Sequence, residues 1–292
     1  MADKQYISPI RLFEELGIDY AGEPDITRIK KHLAAEFNQS KTGFIEINDH
    51  TYNRNDVMEE IERPDFKTRM GYHIRLWGRP FLLAMLESNE ANRLEVRVAL
   101  NSFQNDNVFD EFFSPYFAGP FNNITRACIN NNDLAEVGEW LAFESFLLPA
   151  EREDGFAAIR IFLDESLRMF RNINKDNFQN FRQQFQPWLR WGWHSFMNNL
   201  PHEYYHYREQ IVSALINLTV AIQKTNKTDC RNISNDLVLV KDLPEELQRI
   251  ISNNDRAFNA SPSTSSSSGN YWWLVWVVII FIRLVTSGGC LK

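Results

Sequence analysis

Cysteine is scarce in this chain of 292 residues: Cys128, Cys230 and Cys290 stand far apart. Their odd number, with no CxxC pair and no Cys/His zinc spacing, excludes a disulfide framework and fits a reducing compartment. Glycine (12) and proline (11) are also few, which excludes collagen-like and loop-dominated all-β chains. Basic residues are outnumbered 31 to 38, so the chain carries −7 and lacks the electrostatic footprint of a nucleic-acid binder. Residues Met1 to Tyr6 hold no apolar stretch, so no secretory signal peptide is expected. Gly-rich phosphate loops, G-x-S-x-G elbows and kinase signatures are absent as well. No carboxylate follows Asp255, and that absence divides the chain into an acidic body and an uncharged stretch leading to an apolar one.

What is abundant is aromatic: 22 Phe and 8 Trp within a hydrophobic content of 44%. The expected fold class is mainly α, a multi-helix body with a small N-terminal α/β (β-hairpin) module and a C-terminal apolar tail helix. In the module, residues 1–65, Asp25 is placed to cap a helix carrying Ile26, Ile29, Leu33 and Phe37. Gly43 to Ile47 alternates as a strand, Asn48 to His50 forms a turn, and Thr51-Tyr52 returns. Asn55 is expected to cap the next helix. The helical domain, residues 66–257, reads as helices near 75–88, 93–103, 108–117, 120–130, 133–147, 151–173, 177–199, 202–224 and 243–253. A Ser-rich stretch of low complexity, residues 258–270, reads as a linker.

Residues 271–292 carry the strongest signal. The run Tyr271, Trp272, Trp273, Leu274, Val275, Trp276, Val277, Val278, Ile279, Ile280, Phe281 and Ile282 is apolar without a break, and Arg283 interrupts it. A helix apolar all round must be buried on every side, and aromatics at one end suit a membrane interface. Helical from Tyr271 to Val285 it would span about 22 Å, and to Leu291 about 31 Å, against a hydrocarbon core of roughly 30 Å. Arg283 costs about 3 kcal/mol at mid-span, while the Leu, Ile, Val and Phe side chains return roughly 3–6 kcal/mol, so insertion wins narrowly. The expectation is a single-pass anchor with the body facing the cytoplasm, its partners membrane lipid and an unidentified protein, with no nucleic acid. The acidic body is expected to be held off anionic lipid.

One catalytic motif stands in the body. His202-Glu203-Tyr204-Tyr205-His206 matches H-E-x-x-H, in which two histidines one helical turn apart hold zinc and the glutamate serves as general base. Glu209 is the candidate third ligand. The context is unfavourable: Ile211, Leu215, Leu218 and Ile222 form the apolar face, and His202, His206 and Glu209 fall opposite it, away from any packed cleft. No cofactor is therefore expected, zinc entering only under a metallopeptidase alternative. A second cluster, Trp188, Trp191, Trp193 and Phe196, reads either as helix-packing core or as a surface for membrane or partner. The functional expectation is a membrane-tethered helical adaptor, scaffold or regulator. A membrane-perturbing effector acting through 271–292 is the further alternative.

Overall fold

The computed structural model describes residues 6–20, 25–40, 42–48, 50–88, 92–103 and 107–259. The Ser-rich stretch from 260 and the whole apolar run 271–292 lie outside them. Within the described residues the chain is mainly helical, with one two-stranded antiparallel sheet. It divides into two compact units: 1–124 with 143–158, and 125–142 with 159 onward.

The first unit opens with α1 (Pro9–Glu15), α2 (Ile26–Gln39), β1 (Phe44–Ile47), β2 (His50–Asn53) and α3 (Arg54–Glu62). Asp25 caps α2 as its position foretells, its carboxylate accepting the Arg28 N–H at 3.1 Å. Ile29, Leu33 and Phe37 face inward from α2. The strands pair Ile45 with Tyr52, and Asn48 takes the positive φ of the turn. The cap of α3 is Asn53, which accepts the Asn55 N–H at 2.8 Å, so the expectation for Asn55 is corrected by two residues. The strand runs directly into the helix, leaving its last residue as the cap.

Next come α4 (Phe66–Trp77), α5 (Pro80–Ser88), α6 (Arg93–Asn101) and α7 (Asn107–Asn130). Pro115 and Pro120 lie inside α7, where sequence reading expects two helices. The helix survives because Phe109, Phe113, Phe117 and Phe121 repeat every fourth residue and contact one another at 4.9–5.5 Å. Phe146, in a single 3₁₀ turn, meets the first three of them edge-on. A short helix, α9 (Arg152–Gly155), completes this unit.

The second unit contains α8 (Leu134–Leu141), α10 (Ala157–Asn172) from Ile159 onward, α11 (Phe178–Phe181), α12 (Gln186–Leu189), α13 (Trp193–Asn198), α14 (Tyr205–Ile222), α15 (Lys227–Leu237) and α16 (Glu245–Asn259). Asp133 caps α8 as expected, accepting the Glu136 N–H at 3.0 Å. The single helix expected over 177–199 is three short ones. Pro187 begins α12, and Gly192, at φ +103°, ends the helical path before α13. Ile211, Leu215, Leu218 and Ile222 are buried on α14 as their spacing requires. Helix α15 was not expected, since its residues are mostly polar.

Helices α8 and α13 approach so closely that Gly138 has no room for a side chain. A Cβ there would stand 2.6 Å from the Phe196 backbone nitrogen and from Ser195. By contrast Gly71 on α4 faces open space. We expect Gly138→Ala to destabilise the fold by about 1–3 kcal/mol through overpacking. Gly71→Ala should stabilise it by about 0.5–1 kcal/mol through helix propensity. Urea denaturation of the two variants measures both signs.

Candidate interaction face

The aromatic cluster around residue 190 separates into core and surface. Trp188, Trp193 and Phe196 are buried. Trp188 packs on Trp193 at 5.5 Å and on Phe162 at 5.5 Å, and its indole N–H donates to Ser166 Oγ at 3.2 Å. As a membrane or partner surface these three are thus corrected to core: the breaks in the chain turn them inward. Trp191 remains outside, 65% exposed.

Its exposure is built, not left over. On one side the Arg190 guanidinium donates to the carbonyls of Asn131 (2.8 Å) and Asn132 (3.3 Å). On the other, Gly192 occupies the left-handed region, and a Cβ there would press on Ala135 at 2.7 Å. The buried carboxylate of Asp236 accepts the Gly192 N–H (3.0 Å) and the His194 N–H (3.1 Å), capping α13 from α15. It also holds His194 Nδ1 at 2.6 Å, which directs the other ring nitrogen away from it. The Trp191 ring lies 5.4 Å from that imidazole.

From there contacts run on to α14. Asn198 donates its side-chain amide to Leu239 O (3.0 Å) and accepts the Lys241 N–H (2.8 Å). The buried Arg208 guanidinium reaches the carbonyls of Asn198 and Lys241 at 3.4 Å each, beneath the Tyr205 ring at 4.1 Å. Trp191, Val238, Leu239 and Tyr205 are all exposed.

The H-E-x-x-H residues lie at the start of α14. His202, Glu203 and Tyr204 form a 3₁₀ turn, and only from Tyr205 does the α-helix begin. A 3₁₀ turn advances about 120° per residue against about 100° for an α-helix, so the two histidines lose their shared α-helical register. His206 Nδ1 donates to Glu203 O at 3.0 Å, and the His202 ring lies tilted beside Tyr205 at 5.0 Å. His202, Glu203, His206 and Glu209 are all exposed. Among the described residues no three His, Cys, Asp or Glu side chains gather around a common point. A cleft of about 390 Å³ elsewhere in this unit is lined by Phe162, Met169 and Phe181 with the polar Glu165, Ser166, Arg168, Asn172 and Gln184.

The first unit holds a polar cluster that sequence reading missed. His73 Nε2 donates to Glu60 at 3.1 Å, and its Nδ1 accepts the Tyr6 hydroxyl at 2.7 Å. Arg69 clamps the same carboxylate with two bonds, 2.5 and 2.8 Å. Burial alone would raise the Glu60 pKa, but the bonds from His73 and Arg69 outweigh it and hold it at about 2. Burial pushes His73 below its ordinary 6.5, against the pull of Glu60. Tyr6 is pushed well up by burial. The cluster is enclosed by Phe112 and Tyr116, and it fastens the N-terminal segment to α4 and α3.

Glu60 and His73 both favour the deprotonated form in the fold, so the unfolded chain binds more protons there and stability decreases as pH is lowered. The His73 share is lost as pH drops below about 6.5, and the Glu60 share between about 4.5 and 2. Thermal melts should therefore decline from pH 7 to 5, and His73→Phe should flatten that limb. Glu60→Gln should cost about 3 kcal/mol at pH 7 and flatten the lower limb. At the second cluster, Asp236→Ala should cost about 3 kcal/mol and red-shift no buried tryptophan, while raising the mobility of Trp191 in fluorescence anisotropy. No family description, curated protein or solved structure matches this chain.

Proposed function

We propose that this protein is a membrane-tethered, cytoplasm-facing helical adaptor or regulator whose body presents a docking surface near the bilayer. The observation that carries the reading is the unbroken apolar run Tyr271 to Ile282 beyond the Ser-rich stretch. Among the described residues no helix is long and apolar enough to cross a membrane, so on this reading the anchoring falls to 271–292. The body contributes binding, and the reading assigns it no chemistry: its polar clusters cap helices and fasten segments. Tethering works by raising the local concentration of the body toward other membrane-bound partners.

Flotation of the expressed protein tests this directly. Full-length protein should rise with the lipid fraction and resist carbonate extraction. A chain ending at residue 270 should stay in the soluble fraction with the melting temperature of its body unchanged. Membrane retention of the shortened chain would remove 271–292 as the anchor.

A further inference from the structure

We infer that the cleft lined by α10 and α11 takes the aromatic end of the apolar run, Trp272 and Trp273, when no bilayer covers it, so that the body masks its own anchor. The contact needs only the run and the cleft, while its purpose rests on the tether reading. Three observations lead to it.

The first is how the cleft is built. Phe162, Ser166 and Met169 follow at steps of four and three residues and so share one face of α10. Trp188 supports that face: its ring stacks on Phe162 at 5.5 Å, and its N–H donates to Ser166 Oγ at 3.2 Å. Phe181 lines the cleft from α11. Phe178 and Phe185 are buried and pack on each other at 5.7 Å, whereas Phe181 between them in sequence is only half-buried. The polar lining carries no net charge, with Glu165 paired to Arg168 at 3.7 Å beside the amides of Asn172 and Gln184.

The second is the chemistry of the occupant. An apolar hollow edged by oxygen acceptors suits a ring with an apolar body and one donor edge, and an indole N–H only donates. Met169 adds an adaptable thioether, which makes favourable contacts with aromatic rings. A volume of about 390 Å³ admits indole rings and not the whole run. No charged residue stands between Arg256 and Arg283, so entry of Trp272 and Trp273 strands no charge in the cleft.

The third is where α16 ends. The Phe258 carbonyl accepts a bond from Arg231 of α15 at 3.3 Å. Two residues earlier on α15, Asp229 holds Arg182 with bonds of 3.0 and 3.1 Å, and Asn226 accepts the Gln179 amide at 2.6 Å. Gln179 and Arg182 bracket Phe181. The path from Phe258 to Phe181 is therefore two arginine side chains and about half a helical turn, roughly 30 Å at full stretch. The chain from Asn259 to Tyr271 can span at most about 43 Å. The two tryptophans can reach the cleft of their own chain, where linkage gives them a high effective concentration.

The test uses the full chain made by cell-free translation without lipid, with Gln184→p-benzoylphenylalanine placing a photo-cross-linker at an exposed position of the lining. Irradiation should join position 184 to residues 271–276, and a mixture of isotopically heavy and light chains should show both ends in one molecule. Trp272→Ser with Trp273→Ser, which leaves the body untouched, should lower the cross-link about tenfold. Met169→Glu should lower it likewise while the melting temperature holds. Phosphatidylcholine vesicles should lower it as the protein floats. Absence of a cross-link to 271–276 in protein that floats overturns the masking and leaves the tether intact, and so does a cross-link that the paired serine variant does not change. Cross-links joining heavy to light chains place the run in a second copy and overturn masking within one chain. A cross-link within one chain, in protein that fails to float, upholds the contact and removes the tether.

Discussion

The phenylalanine ladder along α7 is the contact on which the first unit depends. Two prolines inside one helix remove two backbone donors and crowd the preceding turn, a cost of about 3 kcal/mol each. Phe109, Phe113, Phe117 and Phe121 offset it. Each is buried, each lies one helical turn from the next, and Phe146 and Phe156 close on them from 143–158. Complete burial of a phenylalanine contributes roughly 1.5–3 kcal/mol, so four in register exceed the proline penalty. The same ladder explains why a segment distant in sequence belongs to this unit. Residues 143–158 return to α7 because they carry the rings that complete its stack, and Ser114 fixes them there by accepting the Leu148 N–H at 2.9 Å.

Buried carboxylates do for the loops what phenylalanine does for the helices. Glu87 on α5 accepts the Ser8 N–H and an Arg11 bond, and it also lies 3.6 Å from His50 of β2. Asp236 caps α13 from α15, and Asp229 holds Arg182 with two bonds. In each case an acid on one helix satisfies donors that local sequence leaves open. Short helices such as α13 have too few internal hydrogen bonds to persist alone. They exist here because a remote side chain supplies the missing acceptor.

That division also sets what could be read in advance. Where the apolar period is clean and the cap is local, as in α2 with Asp25 or α14 with its four aliphatics, the elements stand in the sequence. The hairpin is equally plain, because alternation and a turn residue are nearest-neighbour signals. Helix α15 was hidden because its inward stripe of Cys230, Ile233 and Leu237 is interleaved with Asp229 and Asp236, acids that ordinarily mark a surface. The run 177–199 misled in the opposite sense. Phe178, Phe185 and Trp188 keep a helical spacing and are all buried, yet the helix is interrupted between them. Periodicity reported which side faces in, not whether the backbone is continuous. For the candidate face, the aromatics Trp188, Trp191, Trp193 and Phe196 were visible as a group, but their division into three core residues and one exposed residue follows from the φ of Gly192 and the reach of Asp236. Neither is a local signal.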